Sequence, residues 1–368
     1  MCPAIDTPMP VASNSAATAQ LRLVTPDDYA KLARFSAQFA DETRDEKFWL
    51  QRFGLWWEQN PAFHEGVPRG WILCDEDEIR GFLGNVPNEF ILNGKTVTAL
   101  STTTWRVLPS HRNHSLKLFF AAIRAAKGSI FFDTTPSPDA VSVVKGLKFQ
   151  LFPFNGNPVK SLLVVNAQRV LQSRGLAAPL AWLASPGLQT LQGLRLKLKG
   201  VEQGTSVRLL TEADSSFDDL WQRTRGRYAN TNVRTAAAIR WQCFGTEATR
   251  KFLFGCFCGE QLVGYAMAGT GMRNQLKVAA CVDVWLDPQA PSALGNLLGF
   301  MREWAKRESI DLIEVPHFDA ALGGQLRGLG LLHRTFSNEQ PSYYKAPEAG
   351  ELDPAATYLV TAQGDRGL

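Results

Sequence analysis

Apolar and polar positions follow one another along this chain in short runs that predict its elements one by one. Trp71–Cys74 is apolar, Asp75–Glu78 is a charged turn, and Ile79–Leu83 is a second apolar run carrying a glycine, which together predict a β-hairpin. Glu89–Leu92 leads into Asn93–Gly94, a favoured two-residue turn, and returns as Thr96–Val107, a second hairpin. Pro109 breaks that strand, and Leu116, Phe119, Phe120 and Ile123 then recur at helical spacing until Gly128 stops the helix. Ile130–Phe132 reads as a buried strand. Much later, Phe252–Cys258, the turn Gly259–Gln261 and Leu262–Ala268 predict another hairpin.

The later runs echo the earlier ones. Leu21–Thr25 returns as Val207–Thr211 at a displacement of 186, and Ile79–Phe82 as Leu262–Tyr265 at 183. Val107–Pro109 matches Trp285–Pro288 with proline on proline at 179, Phe131–Asp133 matches Leu312–Glu314 at 181, and Gly146–Phe149 matches Gly328–Leu331 at 182. Any one match is chance-level, but five in the same order at nearly constant displacement predict a duplicated unit. Each unit reads as hairpin, hairpin, helix, strand, helix, strand: a mixed sheet with helices on its faces.

Composition narrows the class. With 368 residues, 45% hydrophobic and 20% charged, the chain is long enough for two domains with real cores, and it is neither disordered nor collagen-like. No apolar run approaches the length of a membrane span, and residues 1–20 carry no basic residue and no apolar stretch, so they read as a flexible leader. The formal charge of +4 does not point to DNA. Cys2, Cys74, Cys243, Cys256, Cys258 and Cys281 form no CxxC pair and have no histidine spacing suited to zinc, so neither disulfides nor a metal is expected, and a reducing cytoplasm is.

The element order and three stretches resemble the GCN5-related N-acetyltransferase (GNAT) superfamily in a tandem form. Gly81 and Gly264 stand where members write V-x-G; Val107–Arg112 resembles V-x-P-x-x-R; and Pro138–Phe149 resembles the closing helix and strand. The resemblance implies an α/β (α+β) fold of two tandem GNAT-like domains, each a mixed, mostly antiparallel sheet with helices on both faces. The expected division is a leader (1–20), a first domain (21–165), a basic connector (166–204), a second domain (205–346) and a tail (347–368). It further implies acyl-coenzyme A, first of all acetyl-coenzyme A, as co-substrate, and an amine on a small molecule or saccharide precursor as acceptor.

Where a strand runs into a helix start, open backbone N–H groups and the helix dipole suit a diphosphate. The residues expected to hold the coenzyme there are Val107, Pro109, His111, Arg112, Asn113, His114, Ser115 and Lys117. Members of the family prefer R-G-x-G-x-G/A; here Asn113 and Ser115 replace two glycines, and Lys117 either adds a phosphate partner or blocks the site. The matching stretch of the second half, Asp287–Gly295, has two prolines, an acid and no arginine, so one coenzyme site is expected, in the first half.

Acyl transfer to an amine needs positioning, a carbonyl-polarising N–H and a proton acceptor. The glutamate and tyrosine common in related enzymes are missing from their usual places. Glu89, Asp133 and, in the second half, Asp283 are the candidate catalytic acids, with Glu314 and His317 as runners-up. Asp133 reads equally as a helix cap and Glu89 as a solvated strand residue. Trp56, Trp57, Trp221, Trp241, Trp285 and Trp304 read as core, and Arg223, Arg225, Arg227, Arg234 and Arg240 as a solvated helix face that could alternatively meet an anionic acceptor.

Residues 162–198 alternate apolar and basic positions without an acid, which predicts a packing element between the domains or, alternatively, a weak contact with an anionic membrane surface. Two further functions suit the altered loop: a FemAB-like transferase that takes its acyl group from aminoacyl-tRNA for an envelope precursor, and a catalytically degenerate binding protein.

Overall fold

The computed structural model describes residues 19–178, 204–247, 250–335, 340–347 and 350–364, together with Leu180 and Gly187. Most of the basic connector lies outside the described residues, and so does most of the segment for which a membrane contact is expected, of which only residues 162–178, Leu180 and Gly187 are described. There Leu162–Val165 is buried strand and strand end, in the core and away from any surface. Among the described residues no helix is long and apolar enough to cross a membrane.

The first half begins with β1 (Gln20–Leu23), α1 (Tyr29–Ala37) and α2 (Glu46–Phe53), which runs into a π-turn at Gly54–Glu58. Strands β2 (Gly70–Asp75) and β3 (Glu78–Asn85) form the first predicted hairpin, and β4 (Asn88–Leu92) and β5 (Lys95–Val107) the second. Asn93 and Gly94 both take positive φ at its turn, 49° and 77°, the geometry for which Asn-Gly is favoured. Then come α3 (Ser115–Ala125), β6 (Phe131–Asp133), α4 (Pro138–Gly146), β7 (Gln150–Leu151), β8 (Val159–Val164) and α5 (Ala167–Gln172).

The second half repeats the plan. It comprises β9 (Thr205–Leu210), α6 (Ser215–Thr224), β10 (Asn230–Asn232), α7 (Ala236–Phe244), β11 (Phe252–Cys258), β12 (Gln261–Arg273) and β13 (Leu276–Leu286). It continues through α8 (Ala293–Arg307), β14 (Leu312–His317), α9 (Ala320–Gly328), β15 (Leu332–Arg334), β16 (Tyr343–Lys345) and β17 (Thr357–Tyr358). Local chemistry sets the helix starts: Ser137, Thr235 and Asp319 each accept a backbone N–H three residues on, contacts worth about 1 kcal/mol apiece.

The halves trade their last strands. β8, from the first half, lies antiparallel between β14 and β15 of the second sheet, and β16, from the second half, lies antiparallel between β6 and β7 of the first. β10 and β17 extend the first sheet beyond β4. Residues after 346 are therefore part of the packed molecule: Tyr358, Leu359, Val360 and Ala362 are buried.

Both faces of the first sheet are covered. Phe119 of α3, Val144 of α4 and Tyr343 of the exchanged strand pack on one face; Trp49, Phe53, Trp56 and Trp57 of α2 and the π-turn pack on the other, joined by Trp241 of α7. The Trp241 Nε1–H donates to the Leu55 carbonyl at 2.7 Å, so the π-turn is a joint between halves. All six tryptophans read as core are buried.

Candidate active site

β5 and β6 are parallel neighbours for only two pairs, Leu100 with Phe131 and Ser101 with Phe132, and then separate. Where they part, β5 also loses register with β3: Gly84 opposes Thr103 and Phe82 opposes Arg106, leaving Leu83 across from both Thr104 and Trp105. This bulge carries Thr104 at φ 53°, a left-handed conformation rare for a β-branched residue. A cavity of about 260 Å³ fills the parting, lined by Thr102–Trp105, Asp133 and Ser137. A groove of about 750 Å³ shares Trp105, Arg106, Ser137 and Ala140 with it and extends to Val107, Arg112 and Ser115 at the start of α3.

Trp105 lies on both cavities. Its indole stacks on Phe119 at 4.9 Å and 18°, which fixes the ring, while its buried Nε1–H has no acceptor among the described residues. An orphaned buried donor costs about 1–3 kcal/mol, and a ligand carbonyl in the slot would satisfy it. Ser101 Oγ and Tyr343 Oη are also buried without a partner among the described residues. The register sets Tyr343 opposite Asp133, and burial, with the Asp133 charge beside it, raises the tyrosine pKa.

The loop residues expected to hold a coenzyme divide. Arg112, Ser115 and Val107 line the groove, whereas Asn113 and Lys117 point to solvent. His111 is buried and turned towards Ser110 Oγ at 2.8 Å and Asp75 at 3.8 Å. His114 is half-buried, with its ring 6.4 Å from that of His111. The expected cradle of open amides needs correction, because Pro109–His114 winds into a 3₁₀ turn that passes directly into α3, and the Ser115 N–H already donates to the Arg112 carbonyl. Without the two glycines the chain follows helical geometry instead of opening a loop.

The candidate acids are not brought together. Asp133 is 6% exposed at the end of β6 and lines the cavity. Glu89 is exposed on β4, away from both cavities, with its carbonyl accepting the Val233 N–H. Asp283 lies in the other sheet, paired with the buried Arg234 guanidinium at 2.9 and 3.3 Å and accepting from Tyr265 at 2.6 Å. Burial and that carboxylate push the Tyr265 hydroxyl well above its ordinary pKa, so it stays a donor. Glu314 pairs with Arg273 and His317 with Ser161, so no Glu314–His317 dyad forms.

In the second half the equivalent parting is filled. β13 and β14 pair through Ala280 and Glu314, and beyond that point the Tyr358 hydroxyl donates to the Val284 carbonyl while Arg234 lies 4.2 Å over the Trp285 ring. Asp287, at the strand end, is held by Arg223 at 3.5 Å. Four of the five arginines read as a solvated face are therefore structural braces: Arg223 and Arg227 reach the Leu262 and Leu286 carbonyls, Arg240 reaches Ala213, and Arg234 is buried. Little local in the sequence showed this, since the Leu262, Leu286, Ala213 and Asp283 partners lie 27 to 59 residues away and only Arg234 also bonds nearby, to Thr231 and Asn232.

No family model matches the chain, and no curated protein does. Solved structures do match. A conserved Enterococcus faecalis V583 protein named "Probable N-Acyltransferase" is 9% identical with a TM-score of 0.60, over 90% of this chain and 73% of that one. A GCN5-related N-acetyltransferase from Kribbella flavida is 14% identical with a TM-score of 0.56, over 90% and 72%. An N-myristoyltransferase from Saccharomyces cerevisiae, solved with myristoyl-CoA, is 12% identical with a TM-score of 0.52, over 97% and 86%. What these likenesses establish is architecture, and with the two sheets described above they give the chain the fold of the GCN5-related N-acetyltransferases, built twice along one polypeptide.

Proposed function

We propose that the protein is an acyl-coenzyme A dependent N-acyltransferase with one coenzyme site, in the first half between β5 and β6. The observation that carries this reading is Trp105, an oriented and buried N–H donor without an acceptor, set on a slot where two strands part. The pantetheine arm, extended and rich in amides, suits such a slot. Arg112 and Ser115 lie where the diphosphate would meet the groove, the guanidinium supplying the charge that the closed loop does not.

The bulge at Thr104–Trp105 removes two residues from the ladder with β3, and their N–H groups suit polarisation of a thioester carbonyl. The acceptor nitrogen then forms a bond to the carbonyl carbon, the carbon–sulfur bond breaks, and the coenzyme thiolate leaves. Asp133 is the carboxylate on this cavity and takes the proton that the acceptor ammonium loses to become a nucleophile; the second nitrogen proton, lost as the amide forms, passes to the leaving thiolate. The five described cysteines are free, which suits a reducing cytoplasm.

Calorimetric titration with acetyl-coenzyme A tests the reading. Binding to the parent protein is expected, with loss in Arg112→Ala and a drop of about three- to tenfold in Trp105→Phe, which keeps the stack on Phe119 and deletes only the donor. Absence of binding to the parent protein overturns it. The closed 3₁₀ turn at Pro109–His114 favours one other reading, a donor that lacks a diphosphate, such as aminoacyl-tRNA. A charged-tRNA transfer assay separates the two.

A further inference from the structure

Beside the groove lies a second, smaller pocket that the proposed reaction does not use. It has a volume of about 180 Å³ and is lined by Lys31, Arg34, Glu78 and Arg80 together with Phe35 and Leu108. The two linings meet at consecutive residues on each of two segments: Gln38 lines the pocket and Phe39 the groove, Leu108 the pocket and Val107 the groove.

Three cations and one carboxylate thus line the same pocket. None of the three has a carboxylate within ion-pair distance among the described residues, and neither does Glu78; Lys31 donates to the Asp77 carbonyl at 3.2 Å and Arg34 makes a long contact to the Ala30 carbonyl of its own helix. Lys31 and Arg34 are exposed, so solvent tolerates their charges, but Arg80 is half-buried and its Nε–H is fully enclosed without an acceptor among the described residues. A pocket that sets three cations against one carboxylate, with no ion pair between them, and leaves one N–H unsatisfied among the described residues, matches a compact polyanion with several acceptor oxygens.

We propose that this pocket binds a phosphate monoester through Arg34, Arg80 and Lys31. Its place beside the groove gives two sources for that group, the ribose phosphate of coenzyme A or a phosphate carried by the acceptor. The first source rests on the coenzyme reading above; the pocket itself does not.

Inorganic phosphate is the direct probe. Its phosphorus NMR line is expected to broaden with the parent protein and to sharpen with Arg34→Gln and Arg80→Gln; an unbroadened line with the parent protein overturns the proposal. The source is read by affinity. If the pocket takes the coenzyme's own phosphate, coenzyme A binds the parent about tenfold or more tightly than dephospho-coenzyme A, and the gap closes in both variants while dephospho-coenzyme A binding holds. If it takes the acceptor's, the two coenzymes bind alike and phosphoethanolamine binds more tightly than ethanolamine, a preference lost in the variants. Phosphate broadening with neither preference marks a non-specific anion contact and counts against the proposal, as does a variant that loses dephospho-coenzyme A to the same degree. Should the parent bind neither coenzyme, the acyltransferase reading fails while the phosphate arm still decides the pocket.

Discussion

Thr104 stands in the left-handed region at φ 53° with a branched β-carbon, a conformation that costs of order 1–3 kcal/mol and persists only where its surroundings impose it. The surroundings here are the bulge that opens β5 towards the slot. Asn tolerates this region far better, so Thr104→Asn is expected to raise the melting temperature by a few degrees without moving the bulge, as thermal unfolding will measure; a fall would mean that Thr104 is held by contacts worth more than the strain. Asp283 shows the opposite case. Its loss in Asp283→Ala leaves Arg234 charged, desolvated and without its counter-ion, and about 3–5 kcal/mol of destabilisation is expected in denaturant titration. Any ligand binding in the slot between β5 and β6 by whatever remains folded should be unchanged, because Asp283 lies in the other sheet, and a selective loss of activity in a stable protein would restore it as a catalytic candidate.

At the level of elements, the seam between β8 and β14 carries a titratable joint. His317 is buried there, its Nε2 3.1 Å from Ser161 Oγ on β8 and its Nδ1 3.0 Å from the Asp319 carbonyl. Burial pushes its pKa down to about 4, with His333 and Arg327 adding to the effect and the Asp319 contacts opposing it. A histidine kept neutral in the folded state contributes stability that is complete above its ordinary value of 6.5 and is lost as pH falls from there towards 4, up to about 3 kcal/mol in all. Denaturation midpoints measured across that window should therefore fall with acid in the parent protein and much less in His317→Gln; parallel curves would remove His317 as the cause. The same seam explains what sequence could and could not reveal. The two hairpins, the helix from Leu116 and the strand at Ile130–Phe132 were legible because each is specified by neighbours in the chain: alternation, Asn-Gly, a proline, a glycine. Val159–Val164 is apolar enough to be a strand but contains nothing to say that its ladder partners are Leu312–His317 rather than Phe131–Asp133. The candidate site divides along the same line. Arg112 and Asp133 follow from position on a strand end, whereas Tyr343 reaches the first sheet only by exchange, and Arg234, 49 residues from Asp283, has no local signal at all.

For the whole molecule, exchange changes what counts as a folding unit. Withdraw β16, and β6 loses its antiparallel neighbour while β7 loses its attachment to the first sheet; withdraw β8, and β14 and β15 lose the strand between them. Each gap would expose unpaired strand edges and the apolar residues packed on them, Phe131 and Phe149 in one half and Ile313 in the other. Trp241 bonded to Leu55, the Thr134 hydroxyl donating to the Gln363 carbonyl, and β10 paired with β4 tie the halves again at separate points. Neither half should therefore be stable alone, although each carries a complete-looking repeat of helices and strands. Residues 19–178 and 204–364 expressed separately are expected to aggregate or remain unfolded, and the same two pieces co-expressed to associate into a soluble complex that unfolds in one transition. A first half that folds alone, with the dispersed amide spectrum of a native sheet, would show that β16 is dispensable and that the slot between β5 and β6 is built by one half. If the pieces need each other, the slot itself is shared property: Asp133 comes from one half, the Tyr343 beside it from the other, and only the joined chain presents it complete.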